Sequence, residues 1–116
     1  MNVHDVKTFT ATIYCGFKPG YDGETPLNSM KMAEKICQTY CNENGMGLTI
    51  EPTRFIYKDG NEDGVKVGII NYPRFPKTPA QIKAIALDIA IKLKTVFEQH
   101  RVSVVCTDDT IMLGEK

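Results

Sequence analysis

The residues best suited to chemistry in this chain are gathered in Tyr57-Lys58-Asp59-Gly60-Asn61-Glu62-Asp63-Gly64, which combines three carboxylates with a tyrosine hydroxyl. A carboxylate can pair with an ammonium group, and a phenol can donate a hydrogen bond while its ring excludes water. Asp59-Gly60 and Asp63-Gly64 also mark turns, because glycine adopts positive φ without steric cost and Asp hydrogen-bonds its own backbone. The segment is therefore expected at a hairpin tip. At such a tip Glu62 and Asp63 are ordinarily solvated charges, and Tyr57 an aromatic on the rim.

A second candidate is Gly16-Phe17-Lys18-Pro19-Gly20-Tyr21-Asp22-Gly23-Glu24, with three glycines, a lysine and two aromatics. Backbone N–H groups near a helix start can hold an anion or carboxylate. No G-x-x-x-x-G-K-[ST] motif is present, which excludes a Walker loop. The segment is longer than most connections in compact domains, which tilts it towards function over a plain turn-rich link.

The cysteines are a third. Cys37 and Cys41 stand four apart, on one face of a helix and within reach of a common metal. A structural zinc site needs four ligands, and Cys15, Cys106, His4 and His100 show no paired spacing. These cysteines are expected as small buried hydrophobes, with no metal and no cofactor. A nucleophilic Cys-His pair would require His100 to meet Cys15 across the loop edge.

The elements that position these groups follow from periodicity. Phe9, Ala11, Ile13 and Cys15 alternate with Thr8, Thr10, Thr12 and Tyr14, as in a half-buried strand. Thr25-Pro26 reads as an N-cap with proline at the first helical position. Leu27, Met30, Ala33, Ile36 or Cys37, and Tyr40 recur at helical spacing, predicting a helix from Pro26 to Asn44 that ends at Gly45 or Gly47. A second strand is predicted from Leu48 to Tyr57, and its Pro52 argues for an edge position or a bulge. Val65, Val67 and Ile69 alternate in a third. Thr78-Pro79-Ala80-Gln81 is a capping box, followed by the apolar stripe Ile82, Ile85, Ala86, Ile89, Leu93, Val96 and Phe97. The last strand is predicted from Val102 to Thr107, resuming at Ile111 to Leu113.

The order β-α-β-β-α-β predicts an α+β, ferredoxin-like sandwich, an antiparallel sheet with two helices on one face, spanning 1–116 as a single domain. Its usual strand order, 4-1-3-2, puts the Pro52 strand on an edge. It also brings residues 16–24, 57–64 and 98–100 to one end of the sheet. The face with Thr8, Thr10, Thr12 and Tyr14, shared with Ile70 and Val105, has no helix to cover it and is expected to self-associate.

Composition bounds the partners. The 116 residues carry fourteen basic and fourteen acidic side chains, with no Lys/Arg stripe, which argues against a nucleic-acid backbone partner. The third strand also lacks the aromatics that stack RNA bases. Gly16-Phe17-Lys18 lacks the arginine of an acylphosphatase-type loop. Residues 1–7 show no apolar signal segment, and the most apolar run, Ile82 to Leu93, is broken by Lys83, Asp88 and Lys92. No membrane span is expected, and the cysteines are expected reduced in a cytosol.

The chain resembles the small phage-encoded enzymes that degrade S-adenosylmethionine (SAM), formerly called SAM hydrolases and now regarded as lyases. The resemblance spans residues 8–107. It is carried by Glu62-Asp63-Gly64-Val65-Lys66-Val67 with Tyr57 upstream, by Ala80-Gln81 at the second helix, and by Glu98-Gln99-His100-Arg101-Val102-Ser103-Val104. It implies a ferredoxin-fold homotrimer that binds SAM between subunits, in the host cytoplasm if phage-encoded. It also implies conversion of SAM to methylthioadenosine and homoserine lactone by the substrate's own carboxylate. Carried over, Glu62 and Tyr57 are the catalytic residues, with Tyr14 or Tyr21 as other sources of the hydroxyl. Gly16, Phe17, Tyr21, Glu98 and Gln99 are the expected substrate contacts. Two other classes stand beside it: a trimeric small-molecule binder that sequesters a nucleotide without catalysis, and a plain interaction module docking through the uncovered face.

Overall fold

Strict alternation in the first strand decides the architecture. Ala11, Ile13 and Cys15 are fully buried, while Thr10, Thr12 and Tyr14 lie half-buried on the opposite side. The computed structural model describes residues 1–20 and 22–114. Its elements are β1 (Thr10–Gly16), α1 (Ser29–Asn44), β2 (Thr49–Tyr57), β3 (Gly60–Ile70), α2 (Pro79–Val96), β4 (Arg101–Cys106) and β5 (Thr110–Gly114). The strands form one antiparallel sheet in the order β2-β3-β1-β4-β5.

Both helices cover one face. Ile13, Val65, Val67, Ile69, Val102 and Val104 meet Ile82, Ile89 and Leu93 of α2 and Ala33 and Cys37 of α1 in a continuous core. Each such Ile or Leu contributes about 1.5–3 kcal/mol through removal from water. The other face carries Tyr14, Lys66, Ser103, Ile70, Val105 and Met112, the last three exposed. Pro52 sits in edge strand β2, where its missing N–H leaves no gap in an inner ladder.

Three boundaries differ from the sequence expectation. Helix α1 starts at Ser29, not Pro26, because Asn28 takes a left-handed conformation (φ 61°) that no right-handed helix can include. Thr25-Pro26 is therefore loop, Ser29 Oγ donates to the Pro26 carbonyl at 2.6 Å, and Leu27 is 89% exposed. The hairpin turn is only Lys58-Asp59, with Asp59 at φ 60°, so β3 begins at Gly60 and includes Glu62 and Asp63. Ile111 to Leu113 does not resume β4. The chain reverses at Thr107-Asp108-Asp109 and pairs back as β5, with Ile111 opposite Val104.

Helix α2 begins as expected. Thr78 Oγ1 accepts from Gln81 N at 3.1 Å, and Gln81 Oε1 accepts from Thr78 N at 2.8 Å. Lys83 anchors the β4–β5 turn to α2 through Asp108 and Asp109, at 3.1 and 3.2 Å. Among the described residues no helix is long and apolar enough to cross a membrane.

Candidate active site

One end of the uncovered face is built almost without side chains. Gly16 of β1 pairs with Gly64 of β3, and Gly60 opens the same strand. Alternation puts Glu62, opposite Phe55, on this face together with Tyr57, Tyr14 and Ser103. These residues, with Gly16, Gln99, His100 and Arg101, line a cleft of about 200 Å³.

Glu62 stands here because β3 starts early. A tip carboxylate would be solvated, whereas a strand carboxylate of this parity must lie over the glycines. The residue is only 9% exposed, and its Oε2 accepts from the Lys18 backbone N–H at 2.9 Å. Phe17 N donates to Asp63 O at 2.9 Å and Lys18 Nζ to Asn61 O at 3.2 Å, so the start of the glycine-rich loop continues the β1–β3 ladder. Arg54 braces the outer side of the hairpin through Asp63 at 2.7 Å and through Asn61.

Gln99 reaches the same point from the end of α2. Glu98 adopts φ 51°, and Gln99 N donates back to Lys94 O at 3.0 Å, the left-handed helix stop more often made by glycine. Gln99 Nε2 donates to Lys18 O at 2.7 Å and Phe97 O at 3.1 Å, which directs its carbonyl oxygen into the cleft. A Cβ added to Gly16 would lie 2.6 Å from Glu62 Oε2 and 2.9 Å from Gln99 Oε1. Two acceptors thus converge above one glycine. Such a pair suits a compact cation with several N–H donors, such as a primary ammonium.

The expected loop-edge cluster therefore forms: residues 16–18, 57–62 and 98–100 meet at one end of the sheet. Its members differ in role. Gly16 and Gln99 form the floor, and Tyr57 lies over Gly60 at the β2 side. Phe17, expected as a substrate contact, turns away into the core at 2% exposure, with its ring 4.7 Å from that of Phe97. Glu98, expected likewise, points its side chain to solvent and is absent from the cleft wall, while its carbonyl accepts from Gly20 N at 2.9 Å. Tyr21 lies outside the described residues. Phe55, Arg101 and Ser103 were not expected at the site, while His100, expected at this end of the sheet, joins them on the cleft wall. Their signal was strand parity, since Phe55 shares a face with Tyr57, and Ser103 pairs with Tyr14.

The thiols stand apart from this chemistry. Burial, aided by the nearby Glu62 charge, pushes Cys15 up to about 12 and so keeps it protonated. Burial with neighbouring Cys41 and Glu34 raises Cys37 to about 11. Neither is a nucleophile at neutral pH. Among the described residues no three His, Cys, Asp or Glu side chains are grouped to hold a metal.

No protein-family model matches the chain, and no curated protein is similar to it at a significant level. Two solved structures are similar along nearly its whole length. A phage SAM lyase in complex with S-methyl-5'-thioadenosine superposes with a TM-score of 0.77 at 14% identity, covering 99% of this chain and 95% of that one. A phage SAM lyase in the apo state gives 0.75 at 17% identity, covering 93% and 90%. At such low identity the likeness is one of fold, and this chain shares that fold along nearly its whole length.

Proposed function

We propose that this protein is a SAM lyase, releasing methylthioadenosine and homoserine lactone. The observation that carries the reading is the convergence of Glu62 Oε2 and Gln99 Oε1 above Gly16. A full-length fold likeness to phage enzymes of that activity supports it. The fold is taken as a ferredoxin-like sandwich extended at one edge by β5.

The substrate contains its own nucleophile and leaving group. One carboxylate oxygen forms a bond to Cγ, the Cγ–S bond breaks, and its electron pair passes to the sulfonium, leaving a neutral thioether and a lactone. No proton moves, so the protein need supply neither acid nor base. Its task is to fold the methionine chain so that oxygen meets Cγ in line, a proximity effect able to lower a barrier by about 7–11 kcal/mol.

Glu62 and Gln99 anchor the α-ammonium at the floor. Tyr57 donates its hydroxyl to the substrate and helps exclude water, while Phe55 offers an aromatic wall to the adenosine. Opposite charges combine along this path, so a dry site favours it. A cleft of 200 Å³ is below the range of about 300–1,000 Å³ usual for ligand pockets. A second copy packed on the uncovered face, where Ile70, Val105 and Met112 are exposed, would enclose it. A homotrimer in the host cytoplasm is the proposed form.

The test is incubation of purified protein with SAM, followed by chromatography and proton NMR. Methylthioadenosine with homoserine lactone supports the lyase. Homoserine from the outset indicates hydrolysis, and intact but bound SAM indicates sequestration.

A further inference from the structure

We infer that the outer face of α1 is a two-fold contact surface, which packs antiparallel against α1 of a second copy of this chain. The inference does not depend on the lyase reading, and it uses the side of the molecule away from the cleft.

A groove of about 540 Å³ runs between the two helices, lined by Met32, Ile36, Thr39 and Tyr40 of α1 and Val96 of α2. Met32 and Val96 are apolar yet exposed, so this chain alone leaves the groove wet. Met32, Ile36, Thr39 and Glu43 are spaced four, three and four apart, the seam along which two helices pack lengthwise. Lys35 and Glu43 border that seam. Among the described residues neither forms an ion pair within the chain, whereas Lys92, the third charge on the wall, lies 4.0 Å from Asp88.

The order of the two unpaired charges selects the occupant. Glu43 sits in the last turn of α1, which has no basic residue, so its carboxylate meets the negative end of its own helix. A cation from a neighbour relieves that repulsion. Lys35 and Glu43 stand eight residues apart, about 12 Å along the axis, with Thr39 midway. A two-fold axis through Thr39 therefore sets each Lys35 against Glu43 of the other copy, and one patch serves both copies. A parallel copy would set like charges together. The apolar groove supplies affinity, and the ion pairs fix direction and register, since exposed pairs add little energy.

The experiment is sedimentation equilibrium of wild type, Lys35→Glu, Glu43→Lys and the double swap. It is repeated in a Val105→Lys background, which charges the uncovered sheet face and so isolates the helix contact. Lys35 and Glu43 are exposed, so the fold is expected to be unchanged, with circular dichroism as the check. Wild type is expected to show an association that each single reversal weakens about 10- to 100-fold, because two attractive pairs become repulsive. The double swap restores it. Mixing the two single variants restores it as well, because every contact between them again joins opposite charges. Raising the salt weakens wild type and strengthens the single variants. Single variants that associate like wild type, or a mixture that associates no better than its components, overturn the pairing. Absence of any association in the Val105→Lys background also overturns it. Anilinonaphthalene sulfonate fluorescence insensitive to the charge swaps would then give the groove to a small apolar ligand.

Discussion

Glu62 and Gln99, thirty-seven residues apart in sequence, turn their oxygens to a single point above Gly16, 2.6 and 2.9 Å from where its Cβ would stand. The hydrogen bonds that hold them converge as well, on the N–H and the carbonyl of Lys18. One peptide segment of the glycine-rich loop therefore orients both acceptors.

Gly16→Ala is expected to break this arrangement. The methyl group would strike both oxygens, and one or both side chains must move. A stability loss of about 1–3 kcal/mol is expected from overpacking, with loss of SAM binding. Chemical denaturation and calorimetry read the two effects, and wild-type affinity in this variant would show that the acceptor pair does not touch the ligand.

Glu62 separates charge from hydrogen bonding. Glu62→Gln keeps an acceptor for Lys18 N–H but removes the anion, so methylthioadenosine release should fall by about 10²-fold or more with fold and oligomer intact. Glu62→Leu also strands that N–H, at a cost of about 1–3 kcal/mol in stability. Wild-type turnover by Glu62→Gln would sink the ammonium role.

Tyr57→Phe removes one hydroxyl and keeps the ring over Gly60. Turnover should drop roughly tenfold, equivalent to one hydrogen bond, with an unchanged melting temperature. An unchanged rate constant would move the hydroxyl to Tyr14, which lines the same cleft.

Alkaline pH should unfold the protein through its thiols. Cys15 is raised from an ordinary value of 9.0 to about 12, so the native state holds a proton that the unfolded chain releases. Its stabilising effect is complete below pH 9 and is lost progressively from there towards pH 12, at about 1.4 kcal/mol per pH unit. Denaturant midpoints measured between pH 8 and pH 11 in wild type and Cys15→Ala should diverge in slope above pH 9. Parallel slopes would remove Cys15 from the account.

Much of the fold was legible because it rests on local rules. Alternation in residues 9–15, the Thr78 capping box and the position of Pro52 each follow from backbone sterics and burial over a few residues, and the structure keeps all three. The start of α1 was misread because an N-cap pattern at Thr25-Pro26 is only a local preference. Asn28 adopts φ 61° instead, and Leu27 goes to solvent. Phe17 was misread because an aromatic in a glycine-rich loop looks like a ligand contact until Phe97 is seen beneath it.

The sequence by itself determined the order of the first six elements, the uncovered sheet face and the end of the sheet where the loops meet, since hydrophobic period and topology depend on composition along the chain. That residues 110–114 turn back as β5 was decided by the tertiary structure. Only the tertiary structure decided that Glu62 is a strand residue over glycines. Two Asp-Gly steps offer two turns, and pairing across nine residues of β2 selects the earlier one. That selection sets the parity of β3, and parity decides whether a carboxylate faces water or a site.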